Sequence, residues 1–111
     1  DGQQHGGVVH GLGNMLLEES DFDSSAQPMA TTFLDYLLPV ALDAPPITVL
    51  HSPHPTPLNP LGVKGAGEGA TASAPAAIAN AIVDAVESTP IDLTEMPISP
   101  CRLIEILGSS I

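Results

Sequence analysis

The chain has 111 residues, enough for one compact unit with a modest core but short for a self-sufficient cofactor enzyme. Its 13 acidic and 2 basic residues give a formal net charge of −11 at pH 7, which argues against nucleic-acid binding because that requires Lys and Arg to displace phosphate counterions. A single cysteine excludes an intrachain disulfide, and no apolar run approaches the roughly 18 residues of a membrane span. No basic leader precedes an apolar stretch, so we expect a cytoplasmic protein without a membrane span.

The first predicted element is an amphipathic helix over residues 4–19, where apolar residues recur at helical spacing before an acidic cluster. It contains four interior glycines, and each costs about 1 kcal/mol relative to Ala in a helix. Something is therefore expected to approach this backbone closely. For Gly11 and Gly13 we favour a neighbouring helix over a ligand.

The middle of the chain is predicted to be mostly irregular. Residues 20–28 are polar and rich in turn formers, and residues 31–42 predict a loop followed by a short extended or single-turn element. Residues 47–51 are a strand candidate bounded by prolines. Residues 51–60 contain four prolines and predict an extended connector.

Two further helices are predicted. Apolar residues repeat every four positions over residues 72–88, and Pro75 is expected in the first turn of that helix. The last helix is expected to begin with Ser99 as N-cap and Pro100 at the first helical position. Since strand and helix patterns do not alternate, we predict an α+β fold with two or three helices and a few short strands, and not a doubly wound parallel sheet.

Protein-ligated metal ions are not expected. His5 and His10 are five residues apart, and His51 and His54 flank a proline, so neither pair has the spacing of a zinc site. The acidic cluster that follows the first helix lacks the pattern of a calcium loop and predicts a solvated face. Cys101 is expected to be a small buried residue, with a reactive thiol at a helix start as the alternative.

The most informative segment is the glycine-rich LGVKGAGEGA of residues 61–70. Its four glycines surround one cation, Lys64, and one anion, Glu68, directly before a predicted helix. The segment fits neither the dinucleotide fingerprint nor the P-loop. Glu68 has two interpretations, a residue that caps the helix or a general base. Lys64 is either a solvated loop charge or part of a binding site.

Five motifs occur in one order: GQQHGGVVHGLGNMLLEE, DYLLP, GVKGAGEGA, APAAIANAIVDAV and MPISPCRL. Together they resemble the C-terminal segment of the molybdopterin-binding large subunits of the xanthine dehydrogenase, aldehyde oxidase and aerobic carbon monoxide dehydrogenase family. The resemblance covers essentially all 111 residues. It implies that residues 1–111 are the C-terminal part of a larger molybdopterin-binding domain.

The resemblance also implies an activity and a site. The family hydroxylates an aldehyde, an N-heterocycle or a related carbon centre, with water as the oxygen source. Glu68 matches the family's general base and Gln3 matches the glutamine that contacts the pterin. Lys64, Gly65 and Gly67 would lie along the cofactor by their place in the motif.

Cofactors and partners follow from the same resemblance. The expected cofactor is molybdenum–molybdopterin in its cytosine dinucleotide form, shared with the upstream part of the large subunit. Partner subunits would carry FAD and a [2Fe-2S] cluster, and the segment by itself would be inactive. Two alternatives remain: a non-catalytic packing or subunit-association module, and a free-standing protein whose glycine-rich loop takes a small anion. The charge of −11 disfavours the second, because the average field repels anions.

Overall fold

Three helices make up the regular structure. A computed structural model describes residues 1–86, 91 and 93–108, and within them α1 is Gly2–Leu16, α2 is Gly69–Ala85 and α3 is Pro100–Gly108. Residues 17–68 connect α1 to α2 without a regular element, apart from an isolated antiparallel bridge between Phe22 and Pro28. None of the helices in the described residues is long and apolar enough to cross a membrane.

The predicted first helix is confirmed, but it ends at Leu16 and not at residue 19. The amides of Leu17 and Glu18 both donate to the Gly13 carbonyl, at 2.9 and 2.8 Å. The second of these bonds reaches five residues back, which closes the helix instead of propagating it. Glu18 then points to the connector, where its carboxylate accepts a hydrogen bond from the Tyr36 hydroxyl at 2.9 Å.

The second helix begins earlier than predicted, at Gly69. Pro75 is therefore inside the helix and not in its first turn, so that prediction was wrong. Burial of Ala70 and Ala74 against α1 accounts for the early start, because tertiary contact outweighs the weak preference of the sequence there. The described helix ends at Ala85, and its predicted end at Ser88 lies outside the described residues.

Small residues let α1 and α2 pack very closely. A Cβ built on Gly7 would lie 2.8 Å from the Ala70 Cβ, and one on Gly11 would lie 2.7 Å from the Ala74 Cβ. Both contacts advance by four residues along each helix, so the two helices run in the same direction. The prediction that Gly11 serves helix packing is confirmed, whereas a Cβ on Gly13 would meet Pro39 and Glu18 of the connector.

The segment before α3 returns to the end of α1. Ile98 is 2% exposed, and its amide donates to the Met15 carbonyl at 2.6 Å. The predicted N-cap of α3 is confirmed, since the Arg102 amide donates to Ser99 Oγ at 3.2 Å. Cys101 in the first turn is exposed, so the expectation that it is buried was wrong.

The predicted short strands are not confirmed in the described residues. Residues 47–51 are irregular, and histidine side chains make their polar contacts with the start of α1. His5 Nε2 lies 3.2 Å from the Ile47 carbonyl oxygen, and His51 Nε2 lies 2.9 Å from Asp1 Oδ1. The described part of the chain contains no neighbouring strand with which residues 47–51 could form a ladder.

Much of the apolar surface is open. The radius of gyration is 17.6 Å, against about 13 Å for a compact domain of this length. Several large apolar side chains of the connector are almost fully exposed, among them Phe33, Leu34, Leu42, Leu50 and Leu58 at 88% or more. The buried apolar core of the described residues is small, made of Met15, Ala70, Ala74 and Ile98. Such a surface is typical of a part that packs against more protein.

Candidate functional site

A cavity of about 500 Å³ lies in the groove between α1 and the start of α2. Gln3 and Glu68 stand at the end of the groove where both helices begin, and glycine backbone forms much of its wall. The lining residues are Gln3, Gly6, Gly7, His10, Gly67, Glu68, Thr71 and Ala72. The structure therefore brings together three residues that the sequence motifs singled out, Gln3, Gly67 and Glu68.

Gln3 joins the two halves of this site. Its Nε2 donates to the Gly67 carbonyl at 3.2 Å, across 64 residues of sequence. Its Oε1 has no hydrogen-bond partner among the described residues, so the amide keeps a free acceptor. Gln3 also lines a second cavity of about 640 Å³, formed with the start of α1 and residues 47–53. Of the two cavities, the smaller is the one that Glu68 lines.

Glycines keep the groove open. A Cβ built on Gly6, Gly67 or Gly69 would meet nothing within 4 Å. These glycines are therefore not required by packing within the described chain, unlike Gly7 and Gly11. A side chain at either of the two that line the cavity, Gly6 and Gly67, would take up space beside it. The groove thus has room for a flat group that approaches the backbone closely.

Glu68 occupies the N-cap position of α2, but its side chain makes no capping hydrogen bond. Its backbone carbonyl accepts the first helical bond, from the Ala72 amide at 3.0 Å. The carboxylate has no hydrogen-bond partner among the described residues, and it lines the cavity. The capping interpretation therefore lacks the contact that would define it, and the carboxylate is available to another molecule.

Lys64 and Gly65 lie apart from this cavity. Neither lines it, and Lys64 is exposed without an ion pair to any described residue. The other cation, Arg102, pairs with Glu95. The turn before Lys64 is fixed by Asn59, whose side chain exchanges two hydrogen bonds with the Val63 backbone, at 2.9 and 3.1 Å.

Other polar side chains form hydrogen bonds with nearby backbone groups. Asp23 Oδ1 accepts from the Ser25 and Gln27 amides at 2.8 and 2.9 Å, which fixes the turn after α1. His5 Nδ1 lies 2.9 Å from the Asp1 carbonyl oxygen. In the described part of the chain, no group of three His, Cys, Asp or Glu side chains is placed to hold a metal ion.

Sequence reasoning missed two lining residues with polar side chains, His10 and Thr71. The sequence spacing had been considered only for a zinc site formed by His10 and His5. The available signal was helical spacing, because Gln3, Gly6, Gly7 and His10 follow at i, i+3, i+4 and i+7 and so share one face of α1.

The site residues fit the cofactor that the family resemblance implies. A pterin is flat and has both donors and acceptors on its edge, and the groove offers open glycine backbone, a free amide oxygen and an unbonded carboxylate. A molybdopterin cofactor-binding domain family matches residues 1–45, which include Gln3.

Relatives with assigned activities match nearly the whole chain. The nicotine 6-hydroxylase large subunit of Paenarthrobacter nicotinovorans is 38% identical over 94% of this chain. The carbon monoxide dehydrogenase large chain of Hydrogenophaga pseudoflava is 29% identical over 93% of this chain. This chain spans 13% of the length of either relative.

The fold is shared as well. The crystal structure of quinoline 2-oxidoreductase from Pseudomonas putida 86 matches 99% of this chain with a TM-score of 0.93 and 40% identity, over 14% of its own length. A crystal structure of the Cu,Mo-CO dehydrogenase matches 97% of this chain with a TM-score of 0.89 and 27% identity. The three-helix arrangement is thus a piece of a much larger molecule in these neighbours.

Proposed function

Because the chain belongs to the family of molybdopterin-binding large subunits of molybdenum hydroxylases, we propose that it forms one wall of a molybdenum active site, with Glu68 as general base. The proposed reaction replaces a C–H bond of a small substrate by C–OH. Water supplies the oxygen, and each turnover releases two protons and two electrons. The observation that carries the proposal is the unbonded Glu68 carboxylate in a glycine-walled groove beside Gln3.

The cofactor, when bound, supplies the two-electron oxidation. The role of Glu68 is to accept the proton of the water-derived oxygen as that oxygen attacks the substrate carbon. A positioned base of this kind contributes about 10²- to 10⁴-fold to a rate. Its place at the start of α2 fixes the backbone of Glu68 beside the groove, and no capping hydrogen bond competes for the carboxylate.

Gln3 and the glycines are proposed to hold the pterin. The Gln3 amide is oriented by its bond to the Gly67 carbonyl, which leaves Oε1 to accept from a pterin N–H. Gly6 and Gly67 let the flat ring approach the backbone. Gly65 and Lys64 do not line the cavity of the described chain. They are proposed to contact a more distant part of the cofactor, where the Lys64 cation would pair with a phosphate.

Further parts of the enzyme are proposed from the relatives. The exposed apolar side chains of the connector would face the remainder of the large subunit. We propose the cytosine dinucleotide form of the cofactor, and partner subunits that carry FAD and a [2Fe-2S] cluster. An N-heteroaromatic substrate is favoured over an aldehyde or carbon monoxide, since the nicotine and quinoline enzymes are 38% and 40% identical and the carbon monoxide enzymes 27% to 29%. Assays of the purified enzyme with quinoline, nicotine, an aldehyde and carbon monoxide would test that preference.

A second function is favoured by a separate observation. The large open apolar surface and small core also suit a packing or subunit-association module that keeps the fold without catalysis. The two functions differ at Glu68, because an association module has no use for an unbonded carboxylate in the groove.

The test is Glu68→Gln in the complete large subunit, assembled with its partners. Glutamine keeps size and polarity but cannot accept the proton. We expect molybdenum and pterin content to stay at the parent level while kcat falls by about 10²- to 10⁴-fold. Glu105→Gln, on an exposed carboxylate of α3, is the matched control. Full turnover in Glu68→Gln would rule out the base, and loss of molybdenum would assign Glu68 to cofactor retention instead.

A further inference from the structure

The groove that contains Glu68 contains one other ionisable side chain, His10. Of its eight lining residues, these two carry the ionisable side chains. His10 is exposed, at the opposite end of the groove from Gln3. It is not part of the motif by which the family resemblance assigns the base.

The side chains of His10 and Glu68 have no polar partner among the described residues. His10 makes no hydrogen bond or ion pair with any described residue, and the same holds for the Glu68 carboxylate. The other three histidines each have a partner: His5 with Asp1 and Ile47, His51 with Asp1, and His54 with the Ser52 carbonyl. His10 is thus the one histidine whose ring nitrogens are both left open.

The helix register gives the offset of the two groups along the groove that both of them line. The contacts of Gly7 with Ala70 and of Gly11 with Ala74 align each residue of α1 with the residue 63 positions later. Glu68 therefore lies level with position 5, and His10 is five residues further along. At 1.5 Å per residue, this is about 7.5 Å along the axis. Side chains that extend into the same cavity can close most of that gap, and one or two water molecules can bridge the rest.

The proposed reaction gives such a partner a role. Each turnover leaves a proton on the base, and the base must lose it before the next turnover. A neutral imidazole accepts a proton at one ring nitrogen and can release another from the second nitrogen, without changing its net state over the cycle. No oxidant or reductant is involved, because only a proton moves.

We propose that His10 is the proton acceptor that resets Glu68, taking its proton through water in the groove and releasing it at the exposed rim. This inference rests on the proposed function, since it assumes that Glu68 is the base. His10 then acts through Glu68 and is a positioning and relay residue, not a catalytic one. A ligand bound between Gln3 and Glu68 would leave the His10 end of the groove open to water.

The experiment uses the assembled enzyme with His10→Gln, and with His54→Gln as the matched control in the connector. We expect His10→Gln to keep its molybdenum and pterin content and its KM, and to lose kcat by less than the roughly 10²- to 10⁴-fold expected when the base itself is removed. Added imidazole should restore kcat in His10→Gln and leave the parent and the control unchanged. It should not restore Glu68→Gln, which lacks the donor of the proton.

Three outcomes would overturn the relay. Parent-level kcat in His10→Gln would do so, as would a loss that imidazole cannot restore. Loss of molybdenum would make His10 a cofactor-binding residue instead. If Glu68→Gln is inactive while His10→Gln is normal, only the relay fails; if Glu68→Gln is active, the proposed base fails.

A second measurement covers the case in which His10→Gln does not assemble. Carbethoxylation of His10 in the parent enzyme, followed by mass spectrometry, should lower kcat in proportion to the modified fraction without releasing molybdenum. Modification of His54 in the same samples should not correlate with kcat. Full activity with His10 modified would also refute the relay.

Discussion

The two classes of glycine in α1 should respond in opposite ways to the same substitution. In Gly11→Ala, the new Cβ would lie 2.7 Å from the Ala74 Cβ and 3.0 Å from the Thr71 carbonyl oxygen. Carbon atoms prefer about 3.5–4.0 Å, so the helices would have to separate by about 1 Å. In Gly6→Ala, the new Cβ would meet nothing within 4 Å.

The magnitudes follow from two terms. Overpacking of a close contact costs about 1–3 kcal/mol, while replacing an interior helical glycine by alanine gains about 1 kcal/mol. Gly6→Ala should only gain helix stability. Gly11→Ala should gain the same amount but also lose stability through overpacking. The difference between the two variants therefore isolates the clash, at about 1–3 kcal/mol.

Hydrogen exchange measures this difference locally. In the cofactor-free polypeptide, amides of α1 should exchange about 5- to 150-fold faster in Gly11→Ala than in Gly6→Ala. Peptides of α3, which contacts neither glycine, serve as the internal control. Equal protection in the two variants, or greater protection in Gly11→Ala, would refute the close packing of α1 on α2.

Three further outcomes are expected. The hydrogen bond to Glu18 raises the pKa of Tyr36 above its usual value, so the stability from this contact is fully present below about pH 10 and is lost as pH rises through the folded-state pKa. Absorbance titration of the chain's single tyrosine should show the raised pKa, and Glu18→Ala, which lacks the acceptor, should remove the shift. Ser99→Ala should destabilise α3 by about 1 kcal/mol, seen as faster exchange of its first-turn amides, while Ser99→Asn should not. Gly67→Val should lower the molybdenum and pterin content of the assembled enzyme without speeding hydrogen exchange in α1, and normal content would show that the groove does not take the cofactor.

Helix existence was readable from the sequence because periodicity and capping act locally. Ser99 and Pro100 defined the start of α3 correctly, since both effects depend on a few neighbouring residues. The start of α2 was misplaced by three residues because the burial of Ala70 and Ala74 depends on Gly7 and Gly11, which are more than 60 positions away.

The strand prediction for residues 47–51 failed because strand formation depends on a partner as well as on composition. Residues 47–51 have strand composition, but a ladder needs a partner, and the described chain provides none there. For Cys101, composition favoured burial, yet the first turn of α3 faces outward. Both errors come from contacts, or their absence, that composition does not encode.

The site was predictable only where sequence motifs identify its residues. Gln3 and Glu68 were identified by motif, and the structure brings them to one groove through the Gln3 bond to Gly67. His10 was not identified as a lining residue, because its place there depends on which face of α1 meets α2.

The central claim is that this chain forms part of a molybdenum site, and metal analysis tests it most directly. The polypeptide that contains this chain should be purified from its native host, and its molybdenum, pterin and mass measured together. The expected result is molybdenum and pterin at a fixed ratio to a polypeptide much longer than 111 residues. A metal-free, pterin-free chain that purifies alone would contradict the account and leave the association module as the better explanation.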